Sequence, residues 1–265
     1  MKHLFALVLL AAVPFTARAQ LELFPAGTPF RPLLADPAEP RLFLSQLDVK
    51  RAGGDFNAAF LGVGHDFGLL RWDGWQVSLF GSADSLFNLD LPGDALVNTD
   101  YRLGLPVAWR HGSWSARARA YHQSSHLGDE LILGGNAPPR LDLSFEAIDL
   151  LVAWQRSGWR WYAGGSHVVQ SRIESYEGSG LHYGFDYVSA PALFGQRLTA
   201  GVDVKWLEQA RPHSGVSAKA GLKLGPASVE RGITLVFELY DGFAPFGQFF
   251  LEDFRYRGAR LQFDL

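Results

Sequence analysis

The sequence predicts an all-β fold, a transmembrane antiparallel up-and-down β-barrel of the outer-membrane type with about 12 strands. Three observations carry that prediction. From Leu42 to the C-terminus, apolar and polar side chains alternate with a period of two, which puts successive residues on opposite faces of a strand. Tight links (Asp73-Gly74, His111-Gly112, Ser157-Gly158) alternate with longer polar ones (89–100, 126–142, 171–180), the rim asymmetry of an outer-membrane barrel. Tyr101, Trp109, Trp114, Trp159, Trp161 and Trp206 fall at strand ends on apolar faces, as interfacial girdles require.

The N-terminus sets the compartment. Lys2 and His3 precede an apolar run from Leu4 to Pro14, and Ala17-Arg18-Ala19 supplies a small-x-small site, so residues 1–19 read as a secretory signal peptide cleaved before Gln20. That run is too short for a spanning helix, and no later apolar run approaches the ~18 residues one needs. The remaining ~245 residues suffice for one large β domain. With no cysteine, thiolate chemistry and disulfides are excluded. A net charge of −3 with interspersed signs argues against nucleic acid as a partner.

Residues 20–41 form a leader, placed on the periplasmic side. Pro25, Pro29, Pro32, Pro37 and Pro40 lack the N–H that a central strand donates, so an irregular segment is expected, docked through Phe24, Phe30, Leu33 and Leu34. The barrel then occupies 42–265, with strands expected near 42–51, 57–71, 75–88, 101–110, 113–125, 143–155, 159–170, 181–190, 196–206, 214–224, 232–241 and 255–265. The alternation is clearest where Leu198, Ala200, Val202, Val204 and Trp206 oppose Arg197, Thr199, Asp203 and Lys205. An even strand count returns both termini to one side. The ending Leu261, Phe263, Leu265 is similar to the terminal strand that barrel-assembly machinery recognises, with Leu in place of the usual Phe.

The inward face carries Arg102, Arg117, Arg119, Arg160, Arg197, Lys205, Lys219, Lys223 and Arg260 against Asp84, Asp186, Asp203, Glu238 and Asp264. A lumen closed by paired charges is expected, because a barrel this size has little spare diameter. The alternative is a narrow channel for small anionic solutes, guided by Arg117, Arg119, Lys219 and Lys223.

One stretch breaks the pattern. From Arg117 to Gln123 the odd positions are polar and Ala116, Ala118 and Ala120 are apolar, so His122 and Ser124 continue the apolar, outward face. The next strand descends through Ser144, Glu146, Ile148 and Leu150 on the same face. A register pairing Ser124 with Ser144 sets His122 beside Glu146, with Cβ atoms about 4.5–5.5 Å apart. His167 follows Trp159, Trp161, Ala163 and Gly165 upward on the strand after that. Serine, imidazole and carboxylate are the parts an acyl-ester hydrolase needs, since a hydroxyl becomes a nucleophile only when an oriented imidazole takes its proton. Ser124, His122 and Glu146 are therefore candidate catalytic residues, with Asn136 a second candidate for the third role. The competing reading is a polar strand rim, where even a charge costs only ~0–1 kcal/mol, or a Glu146 turned inward by a bulge. Asp129 and Glu130 are candidate ligands of a hard divalent cation or, alternatively, a solvated loop pair.

Tyr121-His122-Gln123-Ser124 resembles the His-x-Ser element of outer membrane phospholipase A and of the lipid A deacylases. That resemblance implies an outward His and Ser, a neighbouring-strand Asn or Glu, and calcium as a possible cofactor. Phe30-Arg31-Pro32-Leu33-Leu34-Ala35-Asp36-Pro37 and the block from Tyr121 to Glu130 resemble an uncharacterised family of bacterial outer-membrane proteins, a domain of unknown function. Together these imply an outer-membrane barrel of unassigned activity, structural or envelope-associated, in contact with lipid and lipopolysaccharide. The alternatives are an outer-leaflet lipid acyl hydrolase and the narrow channel.

Overall fold

The computed structural model describes residues 21–135, 138–192, 195–225 and 232–264. The expected signal peptide with its Ala17-Arg18-Ala19 site, Asn136 and Leu265 lie outside the described residues. The strands are β1 (Glu22–Leu23), β2 (Leu42–Arg51), β3 (Phe56–Trp72), β4 (Trp75–Asn88), β5 (Ala95–His111), β6 (Trp114–Leu127) and β7 (Ser144–Arg156). They continue as β8 (Trp159–Ser171), β9 (Ser179–Val188), β10 (Arg197–Leu207), β11 (Ser214–Leu224), β12 (Gly232–Phe243) and β13 (Asp253–Asp264). Each strand from β2 to β12 pairs antiparallel with its successor, and β13 pairs back onto β2, so that 12 strands close. Closure removes the free edges that an open sheet would expose.

The tight turns lie on the rim shared by the termini. Asp73 and Gly74 both have positive φ, 43° and 81°, the backbone of a type I′ hairpin turn whose twist matches its strands. On the opposite rim the connections are longer, and one carries the short helix α1 (Asp129–Leu133).

Three expectations need correction. The leader is not irregular throughout: Glu22 and Leu23, which precede its first proline and keep their N–H groups, pair with Arg71 and Leu70. Phe24 does not dock; it is 77% exposed. The polar run Asn98-Thr99-Asp100, read as loop, belongs to β5 and is buried. Polarity marks a loop on a soluble protein, but inside a barrel it marks the lumen. Here Asn98 donates to Asp100 at 3.0 Å, Ser125 donates to Asn98 at 3.1 Å, and Asp100 accepts the Gly247 N–H at 3.0 Å.

The lumen is filled from both ends. Phe30 and Leu33 of the leader pack on Ala108, Leu151, Ala153 and Tyr162, while the Arg117 and Arg160 guanidiniums lie 4.7 and 5.6 Å from the Phe30 ring centre. Lys205 reaches Asp36 at 2.6 Å, and Arg117 binds Glu39 through two nitrogens. From the other rim, residues 244–252 fold inward. Phe246 and Phe249 join a cluster with Phe43, Phe60 and Phe254, and Gln248 donates to the carbonyls of Ser125 and Leu141. Cavities of about 590 and 140 Å³ flank the leader.

The outer wall inverts a soluble protein. Leu103 and Leu105 on β5, Ile148, Leu150 and Val152 on β7, Leu181 and Tyr183 on β9, Leu198 on β10, Val216 on β11, and Leu235, Phe237 and Leu239 on β12 are all exposed. An apolar band this continuous is not tolerated on a monomer in water and suits acyl chains. Tyr101, Trp114, Trp159, Trp161 and Trp206 are exposed at its margins. No helix among the described residues is long and apolar enough to cross a membrane.

Candidate functional site

The outward patch on β6 and β7 follows from alternation and register. Ala116, Ala118 and Ala120 face out between buried Ser115, Arg117 and Arg119, and His122 and Ser124 extend that face past the alanines. On β7, Phe145, Ala147, Asp149 and Leu151 are buried while Glu146, Ile148 and Leu150 are exposed. The β6–β7 register pairs Ser124 with Ser144 and His122 with Glu146. A bulge does occur beside Glu146, where the β7–β8 register shifts between Glu146 and Ala147. The extra residue lies on β8, so Glu146 keeps its outward direction.

The side chains complete the geometry. His122 Nδ1 lies 3.1 Å from Glu146 Oε1, and His122 Nε2 lies 3.4 Å from Ser144 Oγ. Glu146 thus orients the imidazole, and the ring's far nitrogen faces a hydroxyl. That hydroxyl belongs to Ser144, diagonal to His122 across the ladder, whereas Ser124 sits two residues along β6 and directly opposite Ser144. The sequence signal for Ser144 is its place at the top of the same outward column as Glu146. The patch stands immediately above the apolar column Ile148, Leu150, Val152. His122 and Glu146 side chains are 48% and 54% exposed, so their pairing adds at most ~1 kcal/mol to stability.

The other candidates separate from this patch. Asp129 and Glu130 are exposed in the first turn of α1. The three potential ligand side chains that converge among the described residues are Asp36, His182 and Asp203, inside the lumen. His167 Nδ1 meets Ser179 Oγ at 3.1 Å on the neighbouring stretch of outer wall. Arg117, Arg119, Lys219 and Lys223 all face the lumen and all have carboxylate partners: Glu39, Asp149 at 2.7 Å, Glu238 at 3.7 Å and Asp264 at 2.7 Å. Burial alone would raise the Glu39 carboxyl, but the Arg117 and Arg119 guanidiniums outweigh it and hold that group at about 2.

Comparison with known proteins adds fold and family. A family model described as protein of unknown function (DUF1207) matches residues 13–265. No curated protein matches the chain. Among solved structures, the calcium-bound dimer of Salmonella typhi outer membrane phospholipase superposes with a TM-score of 0.58 at 12% identity, over 86% of this chain and 93% of that one. An active-site mutant of Escherichia coli outer membrane phospholipase A superposes at 0.60 with 13% identity, over 88% and 93%. At these identities the likeness establishes a shared outer-membrane barrel fold.

Proposed function

We propose, from the premise that the chain belongs to the DUF1207 family and that this family's description leaves activity open, that the protein is an outer-leaflet lipid acyl-ester hydrolase. The observation that carries this reading is the outward Glu146–His122–Ser144 relay, at 3.1 and 3.4 Å, bordering the apolar band. With Nδ1–H donated to Glu146, the Nε2 lone pair faces Ser144 Oγ and can take its proton as the oxygen attacks an ester carbonyl. The imidazolium then returns the proton to the departing alkoxide, and water repeats the cycle on the acyl-enzyme. A 3.4 Å contact is at the long end for proton transfer, and such contacts shorten when substrate seats. Both serines stand on paired strands, and the oxyanion's proposed partner is a side-chain donor or a cation. Ser124 supplies a second hydroxyl directly across from Ser144, and calcium, present in the Salmonella typhi phospholipase structure, is the cation to test.

The lipid partners follow from the position of the patch: phospholipid and lipopolysaccharide of the outer leaflet. Delivery by a cleaved signal peptide at 1–19 and insertion by barrel-assembly machinery through the final strand belong to the same reading. A conduit for anionic solutes is disfavoured, because the leader, residues 244–252 and carboxylate partners occupy the lumen. The test is fatty-acid release from phospholipid and lipopolysaccharide by the folded barrel, with and without calcium. Release lost in Ser144→Ala and His122→Ala supports the hydrolase. No release by the wild type returns the patch to a polar strand rim and leaves a structural, envelope-associated barrel.

A further inference from the structure

Inside the lumen, far from the outward patch, three side chains from three segments converge. His182 of β9 and Asp203 of β10 lie on the inward face, with His182 Nε2 2.6 Å from Asp203 Oδ2. Asp36 comes from the leader, and one ligand atom of each residue lies within 4.8 Å of the other two. All three residues are buried. Asp36 is unevenly satisfied. Its Oδ1 accepts from Lys205 Nζ at 2.6 Å and from the Ala38 N–H at 2.9 Å, while its Oδ2, equally buried, has no hydrogen-bond partner. A carboxylate oxygen left bare in the interior is destabilising, and this one belongs to the cluster holding an imidazole and a second carboxylate.

We infer that Asp36, His182 and Asp203 form a binding site for one divalent transition-metal ion, of which Zn²⁺ is the best fit. Nitrogen with two carboxylate oxygens suits zinc and its neighbours in the first row, and does not suit calcium or magnesium, which take six or more oxygens. Bonds of about 2.0–2.1 Å put two tetrahedral ligands about 3.3 Å apart. His182 and Asp203 would therefore open by under an ångström, and Asp36 Oδ2 would close in. The exchange balances: the proton now shared between Nε2 and Asp203 leaves, and the ion takes its place. Lys205 remains on Asp36 Oδ1, neutralising one carboxylate charge. Behind the ligands, Tyr162 donates to Asp203 at 2.7 Å and fixes that carboxylate. Gly184 makes room for it, since a Cβ there would stand 2.5 Å from the Tyr162 hydroxyl oxygen. With one ligand on the leader and two on the wall, the ion ties the leader into the lumen.

The test uses the full mature barrel, folded in detergent and stripped with a chelator, and titrated with Zn²⁺ by calorimetry and with Co²⁺ by visible absorption. One equivalent of Zn²⁺ is expected, with proton release and a Co²⁺ spectrum of nitrogen–oxygen ligation. Asp36→Asn and His182→Ala are each expected to weaken binding by at least ~30-fold, no less than the loss of an outer-shell partner costs. Calcium at equal concentration is expected not to compete. Zinc saturation is expected to slow proteolysis within residues 31–41 about tenfold in the wild type and not in His182→Ala. Heat-modifiable gel mobility checks folding, and His182→Gln replaces His182→Ala if the alanine variant does not fold. No stoichiometric binding by the wild type, or binding unchanged in both Asp36→Asn and the His182 variant, overturns the site.

Discussion

Replacing Phe30 by alanine separates leader docking from barrel stability. Phe30 is 1% exposed and packs against Leu33, Ala108, Leu151, Ala153 and Tyr162. A buried Phe→Ala change costs about 3–5 kcal/mol, through lost transfer energy and the cavity left behind. The Arg117 and Arg160 contacts to its ring go as well. Between its β1 pairing with β3 and the start of β2, the leader is held in the lumen by side-chain contacts, so this loss falls on docking and not on the strand ladder. At 1.36 kcal/mol per factor of ten, the undocked fraction rises by roughly two to four orders of magnitude. Limited chymotrypsin digestion of the folded barrel reads that fraction at Leu33 and Leu34, because cleavage follows the open population when opening is fast. The prediction is much faster leader cleavage with the heat-modifiable barrel intact. Equal cleavage rates, or a barrel unfolding transition that absorbs the whole loss, would refute the assignment of Phe30 to docking alone.

Other perturbations probe the lumen and the turn side of the wall. Glu238 accepts from Arg260 at 3.1 Å and neutralises Lys219, and all three side chains are at most 2% exposed. Glu238→Gln should therefore cost about 3–5 kcal/mol in urea unfolding from detergent, because two buried cations lose their counter-charge; a shift below ~1 kcal/mol would contradict the pairing. The Glu39 carboxyl lies below its unfolded value of 4.5, so its contribution to leader docking is complete above that pH and fades as pH falls towards about 2. Leader cleavage by an acid protease should accelerate across that window in the wild type and change less in Glu39→Gln. Gly184→Ala should destabilise by about 1–3 kcal/mol, since its Cβ would meet the Val202 carbonyl oxygen at 2.2 Å as well as Tyr162; a neutral effect on thermal unfolding would count against the crowding.

The barrel was legible because its signals are periodic. Leu198 to Trp206 and Ala116 to Ala120 declare their faces in sequence, and Asp73-Gly74 declares its turn. What was not legible depends on what polarity means in a lumen. Asn98-Thr99-Asp100 has loop chemistry by composition, yet it is buried because the inside of this barrel is polar and the segment 244–252 descends to bond it. The same reversal hid the lumen cluster: Asp36 looks like a turn residue in a proline-rich leader, and only the path of that leader brings it to His182 and Asp203. The outward patch was half legible. Parity gave His122, Ser124, Ser144 and Glu146 one face, and the Ser124–Ser144 register set His122 opposite Glu146. Which serine meets Nε2 is decided by the diagonal offset between antiparallel strands, and that offset favours Ser144.

A Ser144 nucleophile activated by His122 on the lipid-facing wall, as proposed, would be labelled by an ester mimic that carries an acyl chain. Reacting the folded barrel in mixed detergent–lipid micelles with a lipid-chain organophosphonate, then mapping the adduct by peptide mass spectrometry, tests it most directly. A single adduct is expected on Ser144, absent from the unfolded chain and from His122→Ala, and undiminished in Asp129→Asn. No adduct on the folded wild type, or an adduct on Ser144 that persists in His122→Ala, would contradict it.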